Sequence, residues 1–120
     1  MDNKKRGNLG EKCAAAYLAA HGYKILETNY SCRMGEIDII ASKGDIVSFV
    51  EVKLRKNDSF AAAREFVTPA KQRRIITTAG LWLSENGCEL QPRFDVIEIY
   101  APTGIGVLKV KINHIEDAFR

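Results

Sequence analysis

Gly35-Glu36-Ile37-Asp38-Ile39-Ile40-Ala41-Ser42, Lys43-Gly44-Asp45 and Ile46-Val47-Ser48-Phe49-Val50-Glu51-Val52-Lys53 form one continuous stretch. Two β-branched, apolar runs flank a Lys-Gly-Asp triplet, which reads as a hairpin. A two-residue turn at Gly44-Asp45 pairs Lys43 with Ile46, so residues whose numbers total 89 face each other. Asp38 then stands opposite Glu51 and Glu36 opposite Lys53, with opposed Cβ atoms about 4.5–5.5 Å apart. A three-residue turn would shift the pairing by one and separate the acids.

Charges inside apolar strands are costly unless they are paired or bound to a metal. Strand alternation puts Glu51 and Lys53 on the face of Val47 and Phe49. Two carboxylates brought this close repel unless a cation lies between them, and hard oxygen ligands suit Mg²⁺ or Mn²⁺. A plain Glu36–Lys53 cross-strand ion pair on an exposed face is the simpler alternative.

Around the hairpin, the residues predict a mixed α/β domain spanning 1–120. One mixed central sheet is flanked by two main helices, in the order α-β-β-β-α-β-β-short α. Asn8 and Glu11 read as a capping box opening a helix that buries Leu9, Cys13, Ala16, Tyr17 and Ala20 and ends at His21-Gly22. A strand follows over 23–28 and a polar turn over 29–35. Residues 54–68 read as loop with some helical turn. Thr68 caps a helix with Pro69 at its first position, burying Ile75, Ile76, Ala79, Trp82 and Leu83 before Asn86-Gly87 stops it. Strands over 93–100 and 107–112 and a short terminal helix capped by Asn113 complete the chain. Isolated His21 and His114, Trp82 and the Arg93–Asp95 pair read as structural, and Cys13 reads as core.

Composition limits the function classes. The 120 residues are 46% hydrophobic and 28% charged, which suits a globular domain and not a disordered chain. Three cysteines, none closer than 19 positions to another, exclude a CxxC metal or redox motif and favour a reducing cytoplasm. No run is apolar enough for a signal peptide or a membrane span. The net charge of +3 is too small for a histone-like binder, but it is unevenly spread. Lys53, Arg55, Lys56, Arg64, Lys71, Arg73 and Arg74 against Asp58 and Glu65 leave residues 53–74 at +5, and residues 1–6 carry +2. A charge run is usually a solvated face. Directly after an acid-bearing strand it is also the footprint of phosphate contact, so Arg55, Lys56, Lys71, Arg73 and Arg74 are candidate nucleic-acid contacts.

Gly35-Glu36-Ile37-Asp38 followed by Phe49-Val50-Glu51-Val52-Lys53 resembles the PD-(D/E)xK nuclease superfamily. Together with Gly10-Glu11, Asn29, Val67-Thr68-Pro69-Ala70-Lys71-Gln72 and Arg93-Phe94-Asp95-Val96, the chain resembles the bacterial YraN family over nearly its whole length. That family is similar to archaeal Holliday-junction resolvases. The resemblance implies a restriction-endonuclease-like fold, with Asp38 and Glu51 as metal-binding acids. It makes Lys53 the lysine that holds or deprotonates water, Glu11 an outer acid, and Lys71 and Gln72 a pair facing the phosphate. The Asp38 strand departs from the superfamily pattern in lacking a preceding proline.

The expected activity is Mg²⁺- or Mn²⁺-dependent phosphodiester hydrolysis on DNA, branched or otherwise structured DNA included. The expected catalytic set is Asp38, Glu51, Lys53, Glu11 and Gln72. The chemistry needs a cation on the non-bridging oxygens and an activated water. A helix start at Pro69 would offer free N–H groups to an anion. Expected partners are DNA and, since resolvase-like relatives often pair two sites, a second copy of the chain. Alternatives from other classes are a non-catalytic nucleic-acid-binding module and a structural adaptor whose acids serve only as ion pairs.

Overall fold

In the computed structural model, residues 3–55, 67–100 and 110–120 are described, with side chains from Leu9 onward. The elements follow in the order α1 (Asn3–Ala20), β1 (Lys24–Cys32), β2 (Gly35–Lys43), β3 (Ile46–Arg55), α2 (Pro69–Asn86), β4 (Gln91–Tyr100) and β5 (Lys111–Phe119). They build one five-stranded sheet in the order β1-β2-β3-β4-β5. β3 and β4 are parallel and the other neighbours antiparallel. The parallel pair requires a crossover, and α2 supplies it.

The hairpin register is the one the sequence predicts. Lys43 pairs with Ile46, Ile40 with Phe49 and Ile39 with Val50, around a turn where Gly44 takes φ 60. The ladder ends at Ile39–Val50, so Asp38–Glu51 and Glu36–Lys53 are not ladder pairs as expected. Side-chain alternation breaks at the same place, since Ile37 and Ile40 pack in one cluster and Ile39 in the other. β2 therefore parts from β3 at Asp38, and a gap opens between the strands where the acids lie.

Thr68 caps α2 as predicted. Its Oγ1 accepts from the Lys71 N–H at 3.2 Å, and Gly87 closes the other end in the left-handed conformation, φ 56. α2 buries Ile75, Thr78, Ala79 and Trp82, with Ile76 and Leu83 half-buried beside them. Trp82 is core, and its indole N–H donates to Glu27 Oε1 at 2.9 Å.

Three expectations are corrected. α1 starts at Asn3, not Asn8, so Glu11 lies well inside the helix and is not a capping acid. Its buried row is Gly10, Ala14 and Leu18, whereas Ala16 and Ala20 are exposed. Small residues at i, i+4 let the helix lie close to the sheet. β1 runs on to Cys32, leaving only Arg33-Met34 as turn; Asn29 takes φ 54, which asparagine tolerates, and the strand continues past it. The C-terminal segment is strand β5, not a helix capped by Asn113. Pairing against β4 outweighs the local capping signal, because Asn113 and His114 serve β4 side chains there. Of the expected strand over 107–112, residues 107–109 lie outside the described residues and Lys111 and Ile112 open β5; most of the expected 54–68 loop also lies outside them.

Two hydrophobic layers hold the helices to the sheet. Ile37, Phe49, Ile75, Trp82 and Val96 lie on the α2 side, and Leu18, Tyr23, Ile39, Val50 and Ile97 on the α1 side. Among the described residues, no helix is long and apolar enough to cross a membrane.

Candidate functional site

Where β2 leaves β3, the backbone N–H of Val52 loses its strand partner. Asp38 takes the place of that partner: its Oδ2 accepts from the Val52 N–H at 2.8 Å. The carboxylate is thus fixed beside the residue that separates Glu51 from Lys53. Glu51 points to the α2 face and is only 9% exposed. The first turn of α2 lies over it, and Lys71 Nζ reaches Glu51 Oε1 at 3.1 Å. Lys53 Nζ is 4.0 Å from the same oxygen.

The electrostatics follow from burial and crowding. Desolvation pushes the Glu51 carboxyl up, and the Asp38 charge pushes it further, against the pull of Lys71 and Lys53. Burial likewise raises Asp38, which the Val52 N–H opposes and the charges of Glu11 and Glu36 reinforce. Burial and the adjoining Lys71 ammonium push Lys53 down. Lys71 is held up by Glu51 in spite of its own burial. Two acids that resist ionisation and two crowded ammonium groups thus form one cluster, an arrangement typical of functional sites.

The other expected residues divide. Glu11 adds its charge to Asp38, and its Oε1 is buried with no hydrogen-bond partner among the described residues. Gln72 does not reach the acids. Its Nε2 donates to the Val67 carbonyl at 2.8 Å and ties down the chain entering α2. Lys71 lies on Glu51 instead of facing outward. Arg73 and Arg74 are exposed on α2, and Arg55 is half-buried on β3 beyond Lys53. Lys56 lies outside the described residues. The helix start offers an anion little, because Pro69 has no N–H and Thr68 takes that of Lys71. The charge there belongs to side chains.

Sequence reasoning missed Glu98. It pairs with Lys53 in the parallel register, so both side chains share the α2 face. It is 2% exposed and accepts from Asn113 Nδ2 at 3.0 Å. Its signal was the one that marked Glu51, an acid within an apolar strand (Val96-Ile97-Glu98-Ile99).

A divalent ion fits the donor set in a limited way. Among the described residues, no three His, Cys, Asp or Glu side chains converge to chelate an ion. Asp38 and Glu51 alone suit Mg²⁺, which keeps several waters and is commonly held by one or two carboxylates with substrate phosphate completing the shell. The unpartnered Glu11 oxygen beside Asp38 fits an outer contact to such waters.

The fold and site define an α/β protein whose open hairpin sets an acid against a Glu-x-Lys strand. The model of "Uncharacterised protein family UPF0102" matches residues 10–99. A UPF0102 protein of Clostridioides difficile (strain 630) is 46% identical over 120 residues, covering 99% of this chain and all of the relative. One of Caldanaerobacter subterraneus subsp. tengcongensis is 46% identical, covering 99% and 98%, and one of Vibrio campbellii is 44% identical over 103 residues, covering 83% and 84%. The chain belongs to the UPF0102 family, the YraN family that its motifs resemble.

Proposed function

We propose that this protein is a Mg²⁺- or Mn²⁺-dependent endonuclease that hydrolyses phosphodiester bonds in DNA. The observation that carries the reading is the Asp38 carboxylate on the Val52 N–H, which holds its charge near Glu51. Both acids resist ionisation, and a divalent cation relieves that cost. Asp38 and Glu51 hold the ion, and Glu11 supports its water shell. The ion, when bound, draws charge from a non-bridging phosphate oxygen and acidifies water. Lys53, its pKa lowered by burial and by Lys71, orients the attacking water and takes up its proton. Lys71 leaves Glu51 to meet the phosphate, and Arg73, Arg74, Arg55 and Lys56 contact the flanking backbone. Gln72 supports the site by anchoring the start of α2. The reading includes a cytoplasmic location, which three free thiols support.

The test is cleavage of fluorescent duplex, flap and junction DNA with Mg²⁺ or Mn²⁺. Wild type should give products, and Asp38→Asn and Lys53→Ala should cut about a thousandfold more slowly. Wild type that binds these DNAs and cuts none overturns the enzyme reading. One observation favours a second reading, a non-catalytic DNA-binding module: Lys71 already neutralises Glu51. Binding without cleavage is its signature.

A further inference from the structure

Beside the acids, the β1–β2 hairpin and α2 enclose a cleft of 490 Å³ whose walls include Arg33, Met34, Glu36, Lys71 and Arg74. Lys71 is also the residue on Glu51, so the cleft opens onto the candidate site. A second hollow of 300 Å³ shares Met34 and Arg74 and continues along Arg73 and Thr77. The two hollows adjoin at Met34 and Arg74, which line both.

Met34 is one of two large apolar side chains exposed among the described residues, at 39%. It sits in a two-residue turn, since Cys32 pairs with Gly35. The base of that turn is pinned to α2: a Cβ at Gly35 would stand 3.0 Å from Thr78 Oγ1, and Gly35 has φ 156. The tip is therefore an apolar projection on a tightly packed base. Around the two hollows, Arg33, Lys71, Arg73 and Arg74 outnumber Glu36, which makes the surface complementary to a polyanion. An apolar side chain among cations suits one kind of polyanion, because nucleic acid carries apolar base faces between its phosphates. Methionine is one of the side chains that proteins wedge between base steps. In an intact duplex those faces are covered by stacking, so the contact needs an open step.

We propose that Arg33, Met34 and Arg74 form a subsite for an unstacked nucleotide beside the scissile phosphate, with Met34 against the base and the two arginines on the backbone. The subsite rests on the nuclease reading for its neighbour, but it is tested by binding alone. A fluorescein-labelled duplex, intact or carrying a single-nucleotide gap, is titrated without divalent metal, and a parallel gapped duplex carries 2-aminopurine at the open step. Wild type should bind the gapped duplex about tenfold more tightly than the intact one, the scale of one base contact, with a change in 2-aminopurine emission. Met34→Ser should bring the two within about twofold while leaving the thermal midpoint and intact-duplex binding unchanged. Arg74→Gln should weaken both and lower the salt slope by about one. Equal wild-type affinity for the two duplexes, or discrimination that survives Met34→Ser, overturns the subsite. Discrimination without any metal-dependent cleavage keeps the subsite and overturns the nuclease reading; cleavage with equal affinity for the two duplexes does the reverse.

Discussion

On the α1 face of the sheet, Asp95 is fully buried and every partner it has is a donor. Arg93 gives it two hydrogen bonds, at 2.9 and 2.7 Å, His114 Nε2 lies at 2.8 Å and the Asp117 N–H at 3.0 Å. Burial alone would raise this carboxyl, but His114, Arg93 and the Asp117 N–H hold it well below the usual carboxylate range. Near the first turn of α2, Asp38 and Glu51 are crowded together: burial pushes both up, the charges of Glu11 and Glu36 add to Asp38, and the Asp38 charge adds to Glu51. The first cluster is complete as it stands and joins β4 to β5. The second sets four acids, Asp38, Glu51, Glu11 and Glu36, against two ammonium groups, Lys53 and Lys71, so negative charge is in excess. The contrast separates a structural aspartate from a binding site using the same residue type on one sheet.

Removing each aspartate should break the two clusters in different ways. Asp95→Ala takes the shared acceptor from the half-buried Arg93 guanidinium, the His114 ring and the Asp117 N–H, and empties a fully buried site. Leaving such a pair half-made costs about 3–5 kcal/mol, so the thermal midpoint should fall by more than about 10 °C. Asp38→Asn keeps an acceptor for the Val52 N–H and removes a charge the site disfavours. Its midpoint should hold or rise while cleavage falls about a thousandfold, the several kcal/mol that such an ion supplies. Scanning calorimetry with a cleavage assay checks both. An Asp38→Asn protein destabilised as much as Asp95→Ala would show that the acids are ordinary structural groups.

The pH dependence of the metal-free protein should have two limbs. Asp95, depressed in the fold, contributes stability that is lost as pH falls through the carboxylate range. Asp38 and Glu51, raised in the fold, hold protons that the unfolded chain releases. Their contribution is full below the ordinary carboxylate pKa and is lost as pH rises past it. Thermal midpoints should therefore peak near about pH 5 and decline toward neutrality. Asp38→Asn should flatten the upper limb, and so should excess Mg²⁺, because a ligand of the folded state stabilises it by mass action. A metal-free midpoint that climbs steadily to pH 8 contradicts the raised acids.

Much of this contrast was legible in residue order. Lys43-Gly44-Asp45 set the hairpin register, because a short turn leaves few alternatives and a slip would turn Ile39 and Val50 out of the core. The Arg93–Asp95 pair was readable as structural because the two residues lie two apart on one strand. The parting of β2 from β3 at Asp38 was not readable, since it comes from a side chain displacing a ladder bond between strands. The capping signals at Asn8 and Asn113 misled because each is local. Asn8 proved interior to a longer helix, and Asn113 was recruited by Glu98 across the sheet. Glu98 itself was overlooked although Val96-Ile97-Glu98-Ile99 carries the cue that picked out Glu51.

The smallest expected effect probes the point where the α2-face cluster meets its own lysine. Lys71 Nζ is 3.1 Å from Glu51 Oε1, closer than Lys53 at 4.0 Å, and it comes from the helix above instead of the strand beside. It supplies part of the positive charge the acids need, so an arriving ion must displace it. Removing it should help the ion and hurt the DNA. Because the Lys71 side chain is 36% exposed, the ion pair is screened, and exposed pairs are worth about 0.2–1 kcal/mol. Lys71→Gln should thus tighten Mn²⁺ binding by about two- to fivefold in calorimetric or spin-resonance titration. The same variant should lower the salt slope of DNA binding by about one. Lys53→Gln should tighten the ion less, because Lys53 lies farther from the shared oxygen. Weaker Mn²⁺ binding in Lys71→Gln would mean that the lysine props the acids open, and the likeness between Lys71 on Glu51 and Arg93 on Asp95 would then be closer than their carboxyl pKa values suggest.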